Sequence, residues 1–107
     1  MSAEPEVRNG LPPMHPGELL REVVLPALKA AGVPRTEVAA AIGVSRRTLY
    51  DLLEEKAPVT PEMAVKLGAV LGNSAEFWAS LQQAFDLARA RERLAGHLPA
   101  KIAFEPA

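Results

Sequence analysis

Helical hydrophobic periods, interrupted at short intervals by helix caps and glycines, are the feature that most limits how this chain can fold. Three predicted helices begin after a hydroxyl side chain that can accept a hydrogen bond from a backbone N–H: Ser45, Thr60 and Ser74. Three runs end at a glycine, which readily takes the left-handed conformation of a helix end: Gly32, Gly43 and Gly72. No segment alternates with the period of a strand. The sequence therefore predicts an all-α fold of about five helices.

The first predicted helix contains a proline in its interior. It starts at Pro16, with Glu18 in the first turn, and Pro26 lies within the same apolar period. Proline lacks the N–H of an internal helical hydrogen bond, and its ring crowds the preceding turn. We therefore expect the helix to end or kink near Val24, with a short second piece that reaches Ala31.

Length and local composition predict one folded domain between two tails. A chain of 107 residues can bury a single modest core. Residues 1–13 are rich in proline and polar residues, which predicts a flexible tail. Residues 14–95 are predicted to form the domain. Residues 96–107 form a C-terminal tail with three large apolar side chains: Leu98, Ile102 and Phe104.

Composition and pattern exclude several classes of function. The chain has no cysteine, which excludes disulfides and thiolate metal sites and indicates a reduced, cytoplasmic setting. Its start does not resemble a secretory signal, and no apolar run approaches the roughly 20 residues of a membrane span. His15 and His97 have no partners at ligand spacing, so we expect no metal, and His15 is expected at a helix start. No nucleophile or phosphate-binding loop accompanies the acidic residues, so neither catalysis nor a cofactor is expected.

The stretch "VAAAIGVSRRTLYDLL", from Val38 to Leu53, has the pattern of a helix-turn-helix. Such a motif needs a small residue where two helices cross, a short turn that often contains glycine, and apolar residues that fix the second helix. Ala39 and Gly43 fill the first two positions. The apolar set is Val38, Ile42, Val44, Leu49 and Leu52. A plain helical hairpin with a solvated arginine pair is the alternative interpretation.

The same spacing leaves polar side chains exposed at the start of the second helix. The net charge of −1 means that the chain as a whole is not basic, unlike many nucleic-acid-binding domains. Between residues 35 and 50, however, the sequence contains Arg35, Arg46 and Arg47 and only one acidic residue. Arginine suits guanine edges and phosphate, Thr48 can contact a base, and Tyr50 can bond phosphate. We expect this surface to contact DNA, with two copies of the chain on two half-sites.

Beyond these patterns, the chain resembles the HigA-type (VapI-like) antitoxins, a branch of the lambda-repressor-like, XRE-type DNA-binding family. The resemblance covers about residues 14 to 90 and is most specific in "HPGE" and in "TPEMAVKLG" followed by "GNSAEFW". It implies a five-helix, lambda-repressor-like domain that binds and neutralises a HigB/RelE-like ribonuclease toxin. It also implies repression of the chain's own operon by a homodimer on operator DNA. The implied DNA contacts are Arg35, Thr36, Ser45, Arg46, Arg47, Thr48 and Tyr50.

The chain departs from the family pattern in ways that bear on DNA affinity. Pro34 stands where a Ser or Thr cap is common. Asp51, Glu54 and Glu55 stand where a basic residue, Asn and Gly are common, and carboxylates near phosphate repel it. Asp51 can instead hold Arg47 across one helical turn or accept from a cytosine amino group. Lys56 is expected to restore one phosphate contact.

An aromatic and aliphatic stripe in the last predicted helix is a candidate interface. Its members recur at steps of three and four: Phe77, Trp78, Leu81 and Phe85. Four short helices would not cover such a stripe on both sides, so we expect part of it to join a dimer or toxin interface, with a purely structural core as the alternative. Two other functions remain open at this point: a stand-alone XRE-type regulator without a toxin partner, and an interaction module that has lost DNA binding.

Overall fold

A computed structural model of the protein describes residues 13–105, and within that range it contains five helices and no strand. We label the helices α1 to α5 in chain order. Helix α1 consists of three consecutive pieces, Pro16–Leu19, Leu20–Val24 and Leu25–Ala30. The others are α2 (Arg35–Ile42), α3 (Arg46–Leu53), α4 (Pro61–Leu71) and α5 (Ala75–Arg93). The predicted all-α class is confirmed, whereas the predicted N-terminal tail lies outside the described residues except for Pro13.

Helix α1 passes through Pro26 without ending. Its middle piece, Leu20–Val24, is a π-helical turn, in which the N–H of Leu25 donates to the carbonyl of Leu20, five residues back. The wider turn relieves the crowding that a proline ring imposes on the carbonyl four residues before it. The regular α-helix is therefore interrupted up to Val24 and resumes as a second piece, Leu25–Ala30, where the sequence predicted an end or a kink and a short second piece, but the interruption is a π turn and the helix does not end there.

Hydroxyl caps begin α3, α4 and α5, and glycines follow the ends of α1, α2 and α4, as predicted. The hydroxyl groups of Ser45, Thr60 and Ser74 each accept the backbone N–H three residues on, at 3.0, 3.1 and 3.0 Å. Gly32, Gly43 and Gly72 adopt φ of 89°, 83° and 78°. In each of these turns the helix end depends on residues close in sequence, which explains why the pattern predicted it.

The core lies where all five helices meet. Its largest side chains are Leu20, Leu25, Val38, Ile42, Leu49, Leu52, Leu53, Leu67, Trp78 and Leu81. Trp78 is 0% and Leu81 6% exposed, and the Trp78 indole N–H donates to the Asn73 Oδ1 at 2.7 Å. These two residues were expected at a dimer or toxin interface. That expectation fails for them, and the alternative of a structural core holds, because both side chains belong to the buried cluster.

Two further members of the expected interface retain accessible surface. Phe77 is 38% exposed and packs edge-on against the Trp78 ring, and Phe85 is half-buried. Nearby, the buried side chain of Gln82 accepts the Val59 N–H at 2.7 Å and donates to the Asp86 carboxylate at 2.9 Å. Gln82 thereby anchors the loop between α3 and α4 to α5.

Residues 96–105 follow α5 without regular secondary structure, and every one of them is exposed. Their apolar side chains, Leu98, Ile102 and Phe104, are 68%, 76% and 60% exposed. None of the helices in residues 13–105 is both long enough and apolar enough to cross a membrane.

Candidate nucleic-acid interface

Helices α2 and α3 form the predicted helix-turn-helix. Val38, Ala39 and Leu49 are at most 3% exposed and fix the two helices together. At the turn, Gly43 takes its left-handed conformation, and the N–H of Val44 donates to the Ala39 carbonyl at 3.0 Å. This frame matches the interpretation of "VAAAIGVSRRTLYDLL" in which small and apolar residues build the crossing and glycine makes the turn.

Helix α3 has a buried face and a polar face. Leu49, Leu52 and Leu53 are buried. The predicted DNA contacts in the first half of the helix are all exposed: Arg46, Arg47, Thr48 and Tyr50. Residues three and four apart share one side of a helix, so Tyr50 lies beside both arginines. The exposed side of α3 thus carries guanidinium, hydroxyl and phenol groups, which are donors to base edges and phosphate oxygens.

The side chains of Ser45 and Thr48 form a small network at the start of α3. The Thr48 N–H donates to the Ser45 Oγ at 3.0 Å, and the Ser45 hydroxyl donates to the Thr48 Oγ1 at 3.0 Å. One hydroxyl proton joins the two side chains, so the other remains available to another acceptor. Both residues are exposed, so the pair can still donate one hydrogen bond to DNA.

A contact between Arg35 and Tyr50 joins the two helices on their exposed side. The Arg35 guanidinium carbon lies 5.7 Å from the centre of the Tyr50 ring, within the range of a cation–π contact. Arg35 and Thr36 occupy the first turn of α2 and are exposed. The structure therefore brings the predicted backbone contacts of α2 next to the predicted contacts of α3.

The acidic residues after Tyr50 each form an ion pair. The Arg47 Nε lies 3.3 Å from Asp51, as the one-turn spacing predicted, and the Lys56 Nζ lies 3.2 Å from Glu54. Arg46 forms no ion pair with any residue between 13 and 105. Arg46 is consequently the α3 cation with the least competition for an anionic ligand, whereas Lys56 shares its charge with a neighbouring carboxylate.

The C-terminal end of α3 is stabilised from α1 by an arginine that sequence reasoning missed. Arg21 donates through Nη1 to the Leu53 carbonyl and to the Glu55 carboxylate, the latter at 3.3 Å. Glu55 has a φ of 62°, in the left-handed region that favours glycine. Arg21 lies more than 30 residues before these partners. No local pattern signals such a contact, although an arginine inside an apolar helix is a reason to look for one.

The start of α1 also lies against this end of α3. His15, which is 3% exposed, accepts the Gly17 N–H through Nδ1 at 2.9 Å and meets the Phe85 ring edge-on at 4.9 Å between centres. The expectation that His15 begins a helix is confirmed, and burial lowers its pKa. A β-carbon at Gly17 would lie 2.0 Å from the Leu52 carbonyl oxygen, so the two backbones approach closely here. Residues 13–105 contain no cluster of three or more potential metal ligands.

Comparison with known proteins agrees with this geometry. A family model described as helix-turn-helix matches residues 27–78. Virulence-associated protein I of Dichelobacter nodosus is 33% identical over 88 residues, covering 82% of this chain and 79% of that protein. Antitoxin HigA-1 of Vibrio cholerae is 37% identical over 81 residues, covering 76% and 73%.

Solved structures give the same result. Antitoxin GraA in complex with its operator superposes with a TM-score of 0.72 at 35% identity, covering 92% of this chain and 100% of that one. Its helical fold and its similarity in sequence extend over the helix-turn-helix and the helices on either side. The similarity in sequence and in fold shows that this chain belongs to the HigA-type, VapI-like branch of the XRE-type helix-turn-helix DNA-binding family, a family of regulators and not of enzymes.

Proposed function

We propose that this protein is the antitoxin of a type II toxin–antitoxin system, which neutralises a HigB/RelE-like ribonuclease toxin and represses its own operon. The observation that carries the DNA-binding part is the exposed face of α3, where Arg46, Thr48 and Tyr50 project from a rigid helix-turn-helix frame. The GraA relative, solved with its operator, supports the same use of this fold. In this proposal the protein acts in the cytoplasm, together with its operator DNA and the toxin.

In this proposal α3 is the recognition helix and enters the major groove of operator DNA. Arg46 contacts a guanine edge or a phosphate, and Thr48 contacts a base or a phosphate through its exposed hydroxyl group. Arg35 and Thr36, in the first turn of α2, contact the DNA backbone, since the first helix of such a motif crosses it. Ser45 acts by capping α3, and Lys56 adds a peripheral phosphate contact.

One such helix reads few base pairs, so the repressor is expected to bind as a homodimer on a palindromic operator. Within the expected dimer or toxin interface, Phe77 offers the most apolar surface, and Phe85 offers a smaller part. A Phe77→Ser change should weaken one of the two associations while leaving the buried Trp78 in place. Sedimentation of the free protein and copurification with the toxin would tell which association is affected.

The DNA-binding part is tested by titrating DNA from the chain's own promoter and a scrambled duplex of equal length. Tighter binding to the promoter, weakened by Arg46→Ala and by Thr48→Ala, is the expected result. Equal binding to both duplexes would contradict operator recognition.

The toxin-binding part is tested separately, by coexpression with the adjacent gene. Copurification of a small basic protein, together with loss of its ribonuclease activity on mRNA, would support the antitoxin function. The absence of such a partner, combined with specific promoter binding, would instead support the alternative of a stand-alone XRE-type regulator. Copurification of the partner by a wild-type protein that does not bind its promoter would instead support the alternative of an interaction module without DNA binding.

A further inference from the structure

The end of α3 after its DNA-facing half is held by a side chain from a different helix. Arg21, in the π turn of α1, donates to the carbonyl of Leu53, the last residue of α3. The last carbonyls of a helix have no partner within the helix and carry its partial negative charge, so a guanidinium there both satisfies an acceptor and opposes that charge. The contact therefore links α1 directly to the end of the recognition helix.

Glu55 completes the link. The chain leaves α3 through hydrogen bonds from the Glu55 N–H to the Leu52 carbonyl and from the Lys56 N–H to the Asp51 carbonyl, at 3.0 and 2.8 Å. This arrangement requires a left-handed residue, and Glu55 fills that position at a cost that glycine would avoid. The Glu55 carboxylate, 3.3 Å from Arg21, offsets that cost with an ion pair that glycine would lack.

Two of the three guanidinium nitrogens of Arg21, Nε and Nη1, already have partners, more than either exposed arginine of α3 has. Its Nη1 serves Leu53 and Glu55, and its Nε lies 3.3 Å from Glu22. Its side chain is 34% exposed, whereas that of Arg47 is 86% exposed. A phosphate that bound Arg21 through two of its nitrogens would have to displace at least one of these partners.

We propose that Arg21 is a positioning residue for operator recognition: by holding Leu53 and Glu55, it sets the orientation in which α3 presents Arg46 and Thr48. The proposal rests on the operator binding proposed above. Arg21 acts on DNA through the pose of α3 and does not contact the DNA itself. It therefore predicts a loss of affinity without a loss of phosphate contacts.

The first arm of the test needs no DNA. Amide hydrogen exchange of the free protein is compared for wild type, Arg21→Met, which keeps the aliphatic stem of the side chain, and the control Glu22→Gln, which removes the pair that does not involve α3. We expect Arg21→Met to speed exchange about tenfold at Glu55 and Lys56, the loss of one charge-assisted hydrogen bond. Exchange at the caps of α4 and α5, the N–H groups of Met63 and Phe77, should not change, and these amides report whether the whole domain is still folded.

The second arm measures binding to promoter DNA as a function of salt. Arg21→Met should weaken binding about tenfold with an unchanged salt slope, whereas Arg46→Ala should lower the slope by about one phosphate contact. Arg21→Lys should recover part of the affinity, because an ammonium can still donate to the Leu53 carbonyl. If Arg21→Met unfolds the domain, Glu55→Gln, which keeps a neutral acceptor, is used in both arms with a smaller loss expected.

The outcomes separate this proposal from the proposed function. Unchanged exchange at Glu55 and Lys56 overturns the positioning role whether or not the protein binds DNA. Faster exchange with unchanged promoter affinity overturns it as well, because Arg21 would then only stabilise the helix end. A reduced salt slope in Arg21→Met would make Arg21 a phosphate contact. Failure of the wild-type protein to prefer its promoter would contradict operator recognition and not the contact between Arg21 and α3.

Discussion

The two ends of the recognition helix α3 are held in different ways. At its start, Ser45 caps the N–H of Thr48, only three residues away, and the neighbouring Arg46 has no ion-pair partner in the described part of the chain. At its end, Arg21 of α1 donates a hydrogen bond to the Leu53 carbonyl, and the backbone of α1 at Gly17 packs closely against the Leu52 carbonyl. The start of α3 is thus stabilised by a contact between residues close in sequence, and it bears the side chains that we propose for DNA binding. The end of α3 is stabilised by contacts with a different helix.

This difference indicates that the two ends of the eight-residue helix α3 have different roles. The side chains that we propose for DNA binding lie near the start of α3 and are exposed, and Arg46 among them has no ion pair in the described part of the chain. In our proposal, the direction in which they point depends on the far end of α3, where the Leu53 carbonyl and the Glu55 carboxylate are bonded to Arg21 of α1. Changes at the two ends should therefore affect different measurements.

The largest effect on stability is expected from a substitution that forces α1 away from the end of α3. Gly17→Ala would place a β-carbon 2.0 Å from the Leu52 carbonyl oxygen, so the backbones must separate. We expect a loss of about 2–3 kcal/mol in the free energy of unfolding, measured by urea denaturation. Gly43→Ala is the matched control. It meets no atom within 4 Å and should cost only about 1 kcal/mol, through its left-handed backbone. Equal losses would contradict the close approach.

Next in size is the effect of the free arginine on DNA binding. Arg46→Ala should reduce promoter affinity by about 1–3 kcal/mol, whereas Arg47→Ala should cost less because Arg47 already pairs with Asp51. Fluorescence anisotropy at several salt concentrations measures both. Thermal unfolding should differ little from wild type in either variant, since both side chains are exposed. A larger loss for Arg47→Ala would reverse the roles assigned here to the two arginines.

A third test removes the cap at the start of α3. Ser45→Ala should cost about 1 kcal/mol of stability, and Thr60→Ala, at the start of α4, should cost a similar amount. Only Ser45→Ala is expected to weaken promoter binding in addition, because it frays the turn that holds Arg46 and Thr48. Matching losses of affinity in the two variants would show that affinity follows overall stability, not the local order of α3.

The smallest expected effect is a pH dependence that arises at His15. Burial holds its pKa below the ordinary value of 6.5, so the unfolded chain binds a proton more readily than the folded one. Stability from this group is complete above pH 6.5 and is lost as pH falls through the lowered pKa. Thermal unfolding between pH 7.5 and 5 should show this decline. His15→Asn, which can still cap α1, should flatten that part of the profile, and an identical profile would assign the decline to other groups.

Much of the fold and part of the site could be predicted because they depend on neighbours in sequence. Ser45 and Gly43 act within one turn of their partners, and the pairing of Arg47 with Asp51 follows from a spacing of four residues. The burial of Trp78, which was expected at an interface, depends instead on how α5 packs on the other helices. For Pro26 the sequence predicted an irregularity near Val24 and a second helical piece, but not that a π turn would keep the helix continuous.

The sequence by itself determined the capped helix starts, the glycine stops, the helix-turn-helix and the cations displayed on α3, since hydrogen bonds between close residues and the helical period decide these features. Only the tertiary structure decided how α3 is held. Arg21 and Glu55 are 34 residues apart, and neither shows by type or spacing that it will meet the other. Contacts of this range require the packed core that brings α1 and α3 together, and the core packs by the summed shapes of many side chains, which no local pattern specifies.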